Sequence, residues 1–291
     1  MVFVKRALPI VVMIFLFVLT SCNLSDSTNN QNTSSSYDIA FLSHDSYMVY
    51  DPRYEYIAVQ IFFFSNLPNP DEKMQDLCLL NGNEMVLADG KASFNVFAAD
   101  NSRYEGLVGW QISYEQEVPP KGNYQIDTVE FSINGMRYFA NIGLIELDII
   151  DTEEVTFDFR IGTYTSITYG LPHDERCFTF ELTALVGDVT ILGLDCGYLT
   201  SGMDISLRSM QSYATFDYSD DMNITKDQMR AFRVSCTAND ARSLNLVVKP
   251  WVIYEYNGQE RRMPLEGTIV LTLLLDEAVD AVMGNSFAVV V

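Results

Sequence analysis

The feature that most constrains this chain is strict alternation. Val155-Thr156-Phe157-Asp158-Phe159-Arg160-Ile161 places an apolar side chain at every second position, and Phe178-Thr179-Phe180-Glu181-Leu182 does the same. Only an extended backbone sends successive side chains to opposite faces, so such runs predict antiparallel strands with one dry and one wet face. Val129-Glu130-Phe131-Ser132-Ile133 runs into Asn134-Gly135 and resumes as Met136-Arg137-Tyr138. An Asn-Gly pair between alternating runs predicts a tight hairpin, because both residues accept the positive φ that the turn requires. Past Gly143 the apolar parity slips from Tyr138, Ala140 and Ile142 to Ile145, Leu147 and Ile149, which predicts a bulge. Helix signals are few: Thr225-Lys226-Asp227-Gln228 has the form of a capping box, and Asp276 to Met283 precedes Gly284 as a short helix would. With 48% apolar residues, the chain can fill a sizeable core. The predicted class is all-β.

A weak internal repeat adds an organisation. At an offset of about 122 residues, Tyr56–Ile61 falls on Phe178–Thr183 and Gly109–Ser113 on Ala231–Ser235. With one extra residue, Val129–Gly135 falls on Val252–Gly258, so both halves contain an Asn-Gly hairpin followed by an aliphatic strand. Unrelated sandwiches would share some of this patterning. Asp151, Glu153 and Glu154 interrupt the strand patterns between the halves. The expectation is two tandem antiparallel immunoglobulin-like β-sandwich domains, residues 37–150 and 151–291, each of seven or eight short strands. The likeness is one of architecture only.

The first 36 residues read differently. Lys5 and Arg6 precede an apolar stretch from Ala7 to Leu19, which at 13 residues is too short for the roughly 20 a membrane span needs. The stretch ends in Leu19-Thr20-Ser21-Cys22, which resembles the lipobox of bacterial lipoprotein precursors. The resemblance implies a signal peptide (residues 1–21) removed just before Cys22, whose sulfur carries diacylglycerol. A cysteine suits that chemistry because a thiolate is nucleophilic near neutral pH. Two or more acyl chains hold firmly where one binds marginally. Asn23 to Ser36 is almost entirely Asn, Ser and Thr, which predicts a solvated tether with a reach of roughly 20 Å. The implied address is the extracytoplasmic face of a cell membrane, held by lipid.

Charge and motifs then narrow the activities. The chain carries 39 acidic and 18 basic residues, a formal net charge of -21, which disfavours nucleic acid as a partner. It has no G-x-S-x-G, H-E-x-x-H, P-loop or G-x-G-x-x-G motif. Beyond Cys22 the cysteines are Cys78, Cys177, Cys196 and Cys236. Three pairings are open; Cys177 with Cys236 has immunoglobulin-like spacing, Cys177 with Cys196 on a neighbouring strand rivals it, and four buried free thiols are equally compatible. None of these spacings makes a zinc site, and the only histidines, His44 and His173, stand in polar turn-like contexts. Asp217-Tyr218-Ser219-Asp220-Asp221-Met222-Asn223 gathers oxygen atoms but lacks the register of a calcium loop and reads as a solvated acidic turn. No metal or cofactor is predicted.

One aromatic constellation remains. Tyr47, Tyr50, Tyr54 and Tyr56 lie within ten residues beside Pro52. Exposed tyrosines stack on sugar rings or anchor a protein partner, whereas strand tyrosines equally fill a core. The leading expectation is a non-enzymatic binding or structural lipoprotein of the cell envelope that contacts envelope polysaccharide or a protein through these tyrosines. The alternative is an envelope hydrolase, or a component of a transport or sensory complex, with a site of dispersed carboxylates.

Overall fold

A computed structural model describes residues 39–290 except 44, 52, 99–105, 152, 154, 163–164, 168–174, 200–202, 213–216, 239–245, 266–268 and 272–288. Cys22 and the tether, both histidines, and the helix expected at 276–283 lie outside the described residues.

The strands of the first half are β1 (Ile39–Phe41), β2 (Asp45–Tyr50), β3 (Tyr56–Ser65), β4 (Met74–Asn81), β5 (Glu84–Leu87), β6 (Lys91–Ala98), β7 (Val108–Glu117), β8 (Gly122–Ile133) and β9 (Met136–Ile149). A single helical turn, α1 (Pro70–Lys73), precedes β4. The second half holds β10 (Phe159–Ile161), β11 (Thr165–Ile167), β12 (Glu175–Ala184), β13 (Val189–Asp195), β14 (Met203–Ser212), β15 (Asp217–Ser219), β16 (Asn223–Ile224), β17 (Met229–Ala238), β18 (Leu246–Lys249), β19 (Trp251–Tyr256), β20 (Gln259–Pro264), β21 (Ile269–Leu271) and β22 (Val289–Val290). The protein is all-β, as the alternation predicts.

Among the described residues, four sheets form two layered cores. In the first half, β1-β3-β7-β6 faces a large sheet ordered β21-β18-β2-β9-β8-β4-β5. Their shared core gathers Ile57, Val59, Ile61 and Phe63 from β3 against Leu79, Val129, Phe131 and Leu147. In the second half, β10-β12-β17-β14-β15 faces β16-β13-β19-β20 across Phe178, Phe180, Phe232, Val234, Trp251 and Tyr254. The Phe180 and Phe232 rings stack at 5.5 Å between centroids. Burying one such ring is worth about 2–3 kcal/mol.

The sequence Asp45-Ser46-Tyr47-Met48-Val49-Tyr50 explains how the cores join. β2 pairs in parallel with both β9 and β18. Met48 and Tyr50 enter the first core, Tyr47 and Val49 the second. Parallel strands covered on both faces read as near-continuous apolar runs, which is what this stretch is. β18 repeats the device, with Val247 in one core and Val248 in the other. β18 and β21 thus return to the sheet of the first half, across the seam expected at 150–154, and Tyr37–Val291 packs as one compact unit.

Both Asn-Gly turns form as expected, with φ of 52° and 77° at Asn134 and Gly135 and of 53° and 71° at Asn257 and Gly258. The slip past Gly143 is a bulge: Ile126 pairs with Ile145 but Thr128 with Asn141, leaving two extra residues on β9. Two expectations need correction. Thr225–Gln228 is a turn closed by Gln228 N–H donating to the Thr225 carbonyl at 3.0 Å, with Asp227 at φ 63°, not a helical turn. Of the run Val155–Ile161, only residues 159–161 form a strand. Asp158 is buried there because its carboxylate accepts from the Tyr254 hydroxyl at 2.7 Å and Arg261 at 2.8 Å, while Phe157 turns outward under the Arg53 guanidinium, 3.6 Å from its ring centroid. Polar partners outweigh the period-two pattern at that point.

Candidate functional site

The four tyrosines do not form one accessible ladder, and the expectation of a shared stacking face is corrected. Tyr47 and Tyr50 are each 4% exposed and point into different cores because β2 is covered on both sides. Burial, and then the Asp148 carboxylate, pushes the Tyr47 hydroxyl above the ordinary phenol range; it donates to Asp148 at 3.4 Å. The Tyr50 hydroxyl donates to the Ala58 carbonyl at 3.2 Å.

Tyr54 and Tyr56 have a different fate. Both line an open cleft of about 480 Å³ at the ends of β3, β7 and β9, with Glu55, Glu117, Val118, Pro119, Lys121, Ile149, Ile150 and Asp151. The backbone assembles it: Tyr56 lies opposite Glu117 in the β3–β7 ladder, Val118 N–H donates to the Glu55 carbonyl at 3.2 Å, and Ile150 N–H to the Tyr50 carbonyl at 2.9 Å. Tyr56 is 55% exposed, and Glu55, Glu117, Lys121 and Asp151 are exposed around it. Lys121 and Asp151 pair at 3.2 Å.

Tyr54 is fixed from beneath. Its ring meets Tyr50 edge-on at 5.6 Å, and the Lys249 ammonium lies 3.4 Å from its centroid and 4.1 Å from that of Tyr50. Lys249 is fully buried, and a desolvated cation over an aromatic face is worth about 2 kcal/mol. Asp51 is buried beside it; burial raises its carboxyl, but the Arg53 side chain and backbone donors, at 2.8 and 3.0 Å, hold it below the usual carboxylate range. The cleft thus rests on an ordered base. It offers one exposed aromatic ring, one half-buried ring, three carboxylates and one ammonium, a set suited to stacking on a flat ligand and accepting from its hydroxyl or amino groups.

A second opening of about 640 Å³ lies beside β4–β6, lined by Cys78, Phe94, Glu130 and Arg137 among others. Glu130 is buried and ion-paired to Arg137, an arrangement that satisfies its own charge.

The four described cysteines are buried free thiols. Cys177 lies opposite Ser235 and accepts from Arg233, on the face of its sheet away from the second core, whereas Cys236 lies within that core. The immunoglobulin-like pairing of these two is therefore blocked by strand parity. The rival pairing, Cys177 with Cys196, fails for the same reason, because Cys196, just after β13, lies within the second core while Cys177 faces away from it. In the 217–223 turn, the Asp221 carboxylate accepts from Asn223 N–H at 3.0 Å and Arg230 at 3.0 Å, and these bonds hold it below the usual range. Among the described residues, no three His, Cys, Asp or Glu side chains gather as a metal site.

Glu55, Glu117, Lys121 and Asp151 went unmarked as site residues in the sequence, Asp151 standing there only as a boundary residue. The sole signal was that Glu55 adjoins Tyr56; Glu117 and Lys121 arrive through pairing of strands some 60 residues apart, and Asp151 through the pairing of β9 with β2. No protein-family model matches the chain, and no curated protein matches it.

Proposed function

We propose that the chain is a lipid-anchored, extracytoplasmic binding protein, without enzymatic activity, whose Tyr54–Tyr56 cleft takes envelope polysaccharide. In this reading the folded part is a pair of immunoglobulin-like sandwiches lifted from the membrane by the 22–36 tether, with Cys22 as the anchor. The observation that carries it is the exposed Tyr56 ring set among Glu55, Glu117 and Asp151 over a braced Tyr54. Aromatic stacking supplies apolar contact with a sugar face, and carboxylates accept from the hydroxyls at its rim. The same three carboxylates support the competing hydrolase reading.

Retention of the purified protein on immobilised envelope polysaccharides tests the proposal. Tyr56→Ala should cut retention at least tenfold and Glu117→Gln several-fold, with no release of reducing ends from the polymer. Unchanged retention by Tyr56→Ala overturns the site, and release of reducing ends that Glu117→Gln abolishes favours the hydrolase. Mass spectrometry of the membrane-extracted protein tests the anchor: a chain beginning at Cys22 with acyl mass on the sulfur is expected, and an unmodified thiol there refutes it.

A further inference from the structure

Unpaired sheet edges invite another chain to pair with them, and natural proteins blunt them with short length, charge, proline or bulges. Among the described residues, β1, β10, β11, β15 and β21 span three residues each, and β16 and β22 two. β5 opens on Glu84, and the stretch of β4 that it leaves free carries Asp76 and a register shift. β20 holds Glu260, Arg261, Arg262 and Pro264. In β13 the stretch beyond β16 ends in Asp195, and in β14 the stretch beyond β15 carries Asp204 and Arg208.

β6 differs from all of these. It is eight residues long, pairs with β7 alone, and shifts register only past Val96. Its one charge is Lys91, at its start, and it contains no proline. Lys91, Ala92, Ser93, Asn95 and Val96 are exposed, Val96 at 49%, so the outer flank of the strand is open. The sheet behind it is equally neutral: β1 and β3 carry no charged residue, and β7 only Glu115 and Glu117 at the end nearest the cleft. In a chain with 39 acidic and 18 basic residues, such a sheet is an exception.

We propose that β6 is a homodimer contact, in which two copies pair this strand antiparallel across a two-fold axis normal to the sheet. The axis sets odd residues opposite odd and even opposite even. Ala92, Phe94 and Val96 then meet their own kind on the face that Phe94 turns toward the core, and Ser93 and Asn95 meet theirs on the wet face. Passing through Ser93 or Phe94, the axis keeps Lys91 away from its twin. Charge selects a second copy as the occupant: a surface of like charge repels itself, this edge does not, and a strongly charged partner finds no counter-charge along it beyond Lys91. At physiological salt the screening length is about 8 Å, so the remote acidic residues of two copies interact little. A single strand pair buries less than the standard interface of about 1,600 Å², which makes the dimer a weak one.

Analytical ultracentrifugation of the purified full chain, in mild detergent and physiological salt, tests the contact. A reversible monomer–dimer equilibrium is expected, with Kd below about 1 mM. Ser93 is exposed and its hydroxyl donates at 3.5 Å to the Ser113 carbonyl, so Ser93→Lys and Ser93→Glu should melt with the wild type. Each brings like charges together beside the two-fold and should weaken the dimer at least tenfold, while an equimolar mixture of the two should restore it. A wild type that stays monomeric, or a mixture that associates no better than its components, overturns the contact. So does equal dimerisation by either variant, which is how association through acyl chains would show. The contact does not rest on the saccharide reading: Tyr56→Ala should dimerise as the wild type does, and loss of polysaccharide retention with the dimer intact would remove only that reading.

Discussion

The two halves share a strand order and differ in chemistry. In the first, β3-β7-β6 lies over β4-β8-β9; in the second, β12-β17-β14 lies over β13-β19-β20. The 122-residue repeat maps β3 to β12, β7 to β17 and, with one extra residue, β8 to β19. Yet at that offset Glu55 and Tyr56 become Cys177 and Phe178, and Arg233 falls on Gln111, which bonds to Gln60. The repeated positions are the ones that build cores and hairpins. The cleft occupies positions where the repeat is broken, which is where a scaffold used twice can carry chemistry in one half alone.

Core substitutions break the comparison hardest. Phe63→Ala in the first core and Phe232→Ala in the second should each cost about 3–5 kcal/mol in urea unfolding. Because β2 and β18 send side chains into both cores, each variant should shift one common transition by fluorescence and circular dichroism alike. Two resolved transitions, with Phe63→Ala moving only one, would show that the halves unfold separately. Lys249→Ala comes next, at about 3 kcal/mol, since it removes a buried cation from two rings and from the field of buried Asp51. A loss under about 0.5 kcal/mol would deny it any role in joining the halves.

Lys249 also marks what the sequence could and could not disclose. The all-β class, both Asn-Gly hairpins and the bulge after Gly143 were legible because each depends on a few consecutive residues: a period of two, two positive-φ positions, a parity slip. The parallel pairing of β2 with β18 joins residues some 200 apart, and no local pattern encodes it. Hence Tyr47 and Tyr50 looked like ligand contacts and are core residues, while Tyr54 and Tyr56 kept their place at a surface. The carboxylates around them were hidden among 39 acidic residues until β3 met β7. Arg208 and Arg233 likewise become neighbours only through the register of β14 on β17.

Acid tests the base of the cleft on a finer scale. The Asp51 carboxyl titrates below its unfolded value of 3.8, so its contribution is complete above that value and is lost as pH falls through the lower, folded one. Asp51→Asn should cost about 2 kcal/mol at neutral pH, the scale of a bond to a charged group. It should also flatten the loss of stability below pH 4. An unchanged acid limb in Asp51→Asn would show that other carboxylates govern it. The equivalent hairpins allow a paired measurement: Gly135→Ala and Gly258→Ala each force a side chain into positive φ, at about 1–2 kcal/mol. Equal costs are expected if the two turns are the same device. A large excess in either would show that the halves depend unequally on their hairpins.

The smallest effect separates folding from recognition. Lys121 and Asp151 are roughly half exposed and 3.2 Å apart, and surface pairs of this kind contribute less than about 1 kcal/mol. Lys121→Ala should therefore leave the urea midpoint within error. It nevertheless removes the ammonium among the residues lining the cleft, which also include Glu55, Glu117 and Asp151, and so makes the local field more negative. If the cleft takes neutral sugars, retention on polysaccharide should change less than twofold; if it prefers amino sugars, retention should rise and the rise should fade with added salt. A substitution that moves binding while leaving stability untouched would place the chemistry of the first half in its strand ends and not in the core it shares with the second.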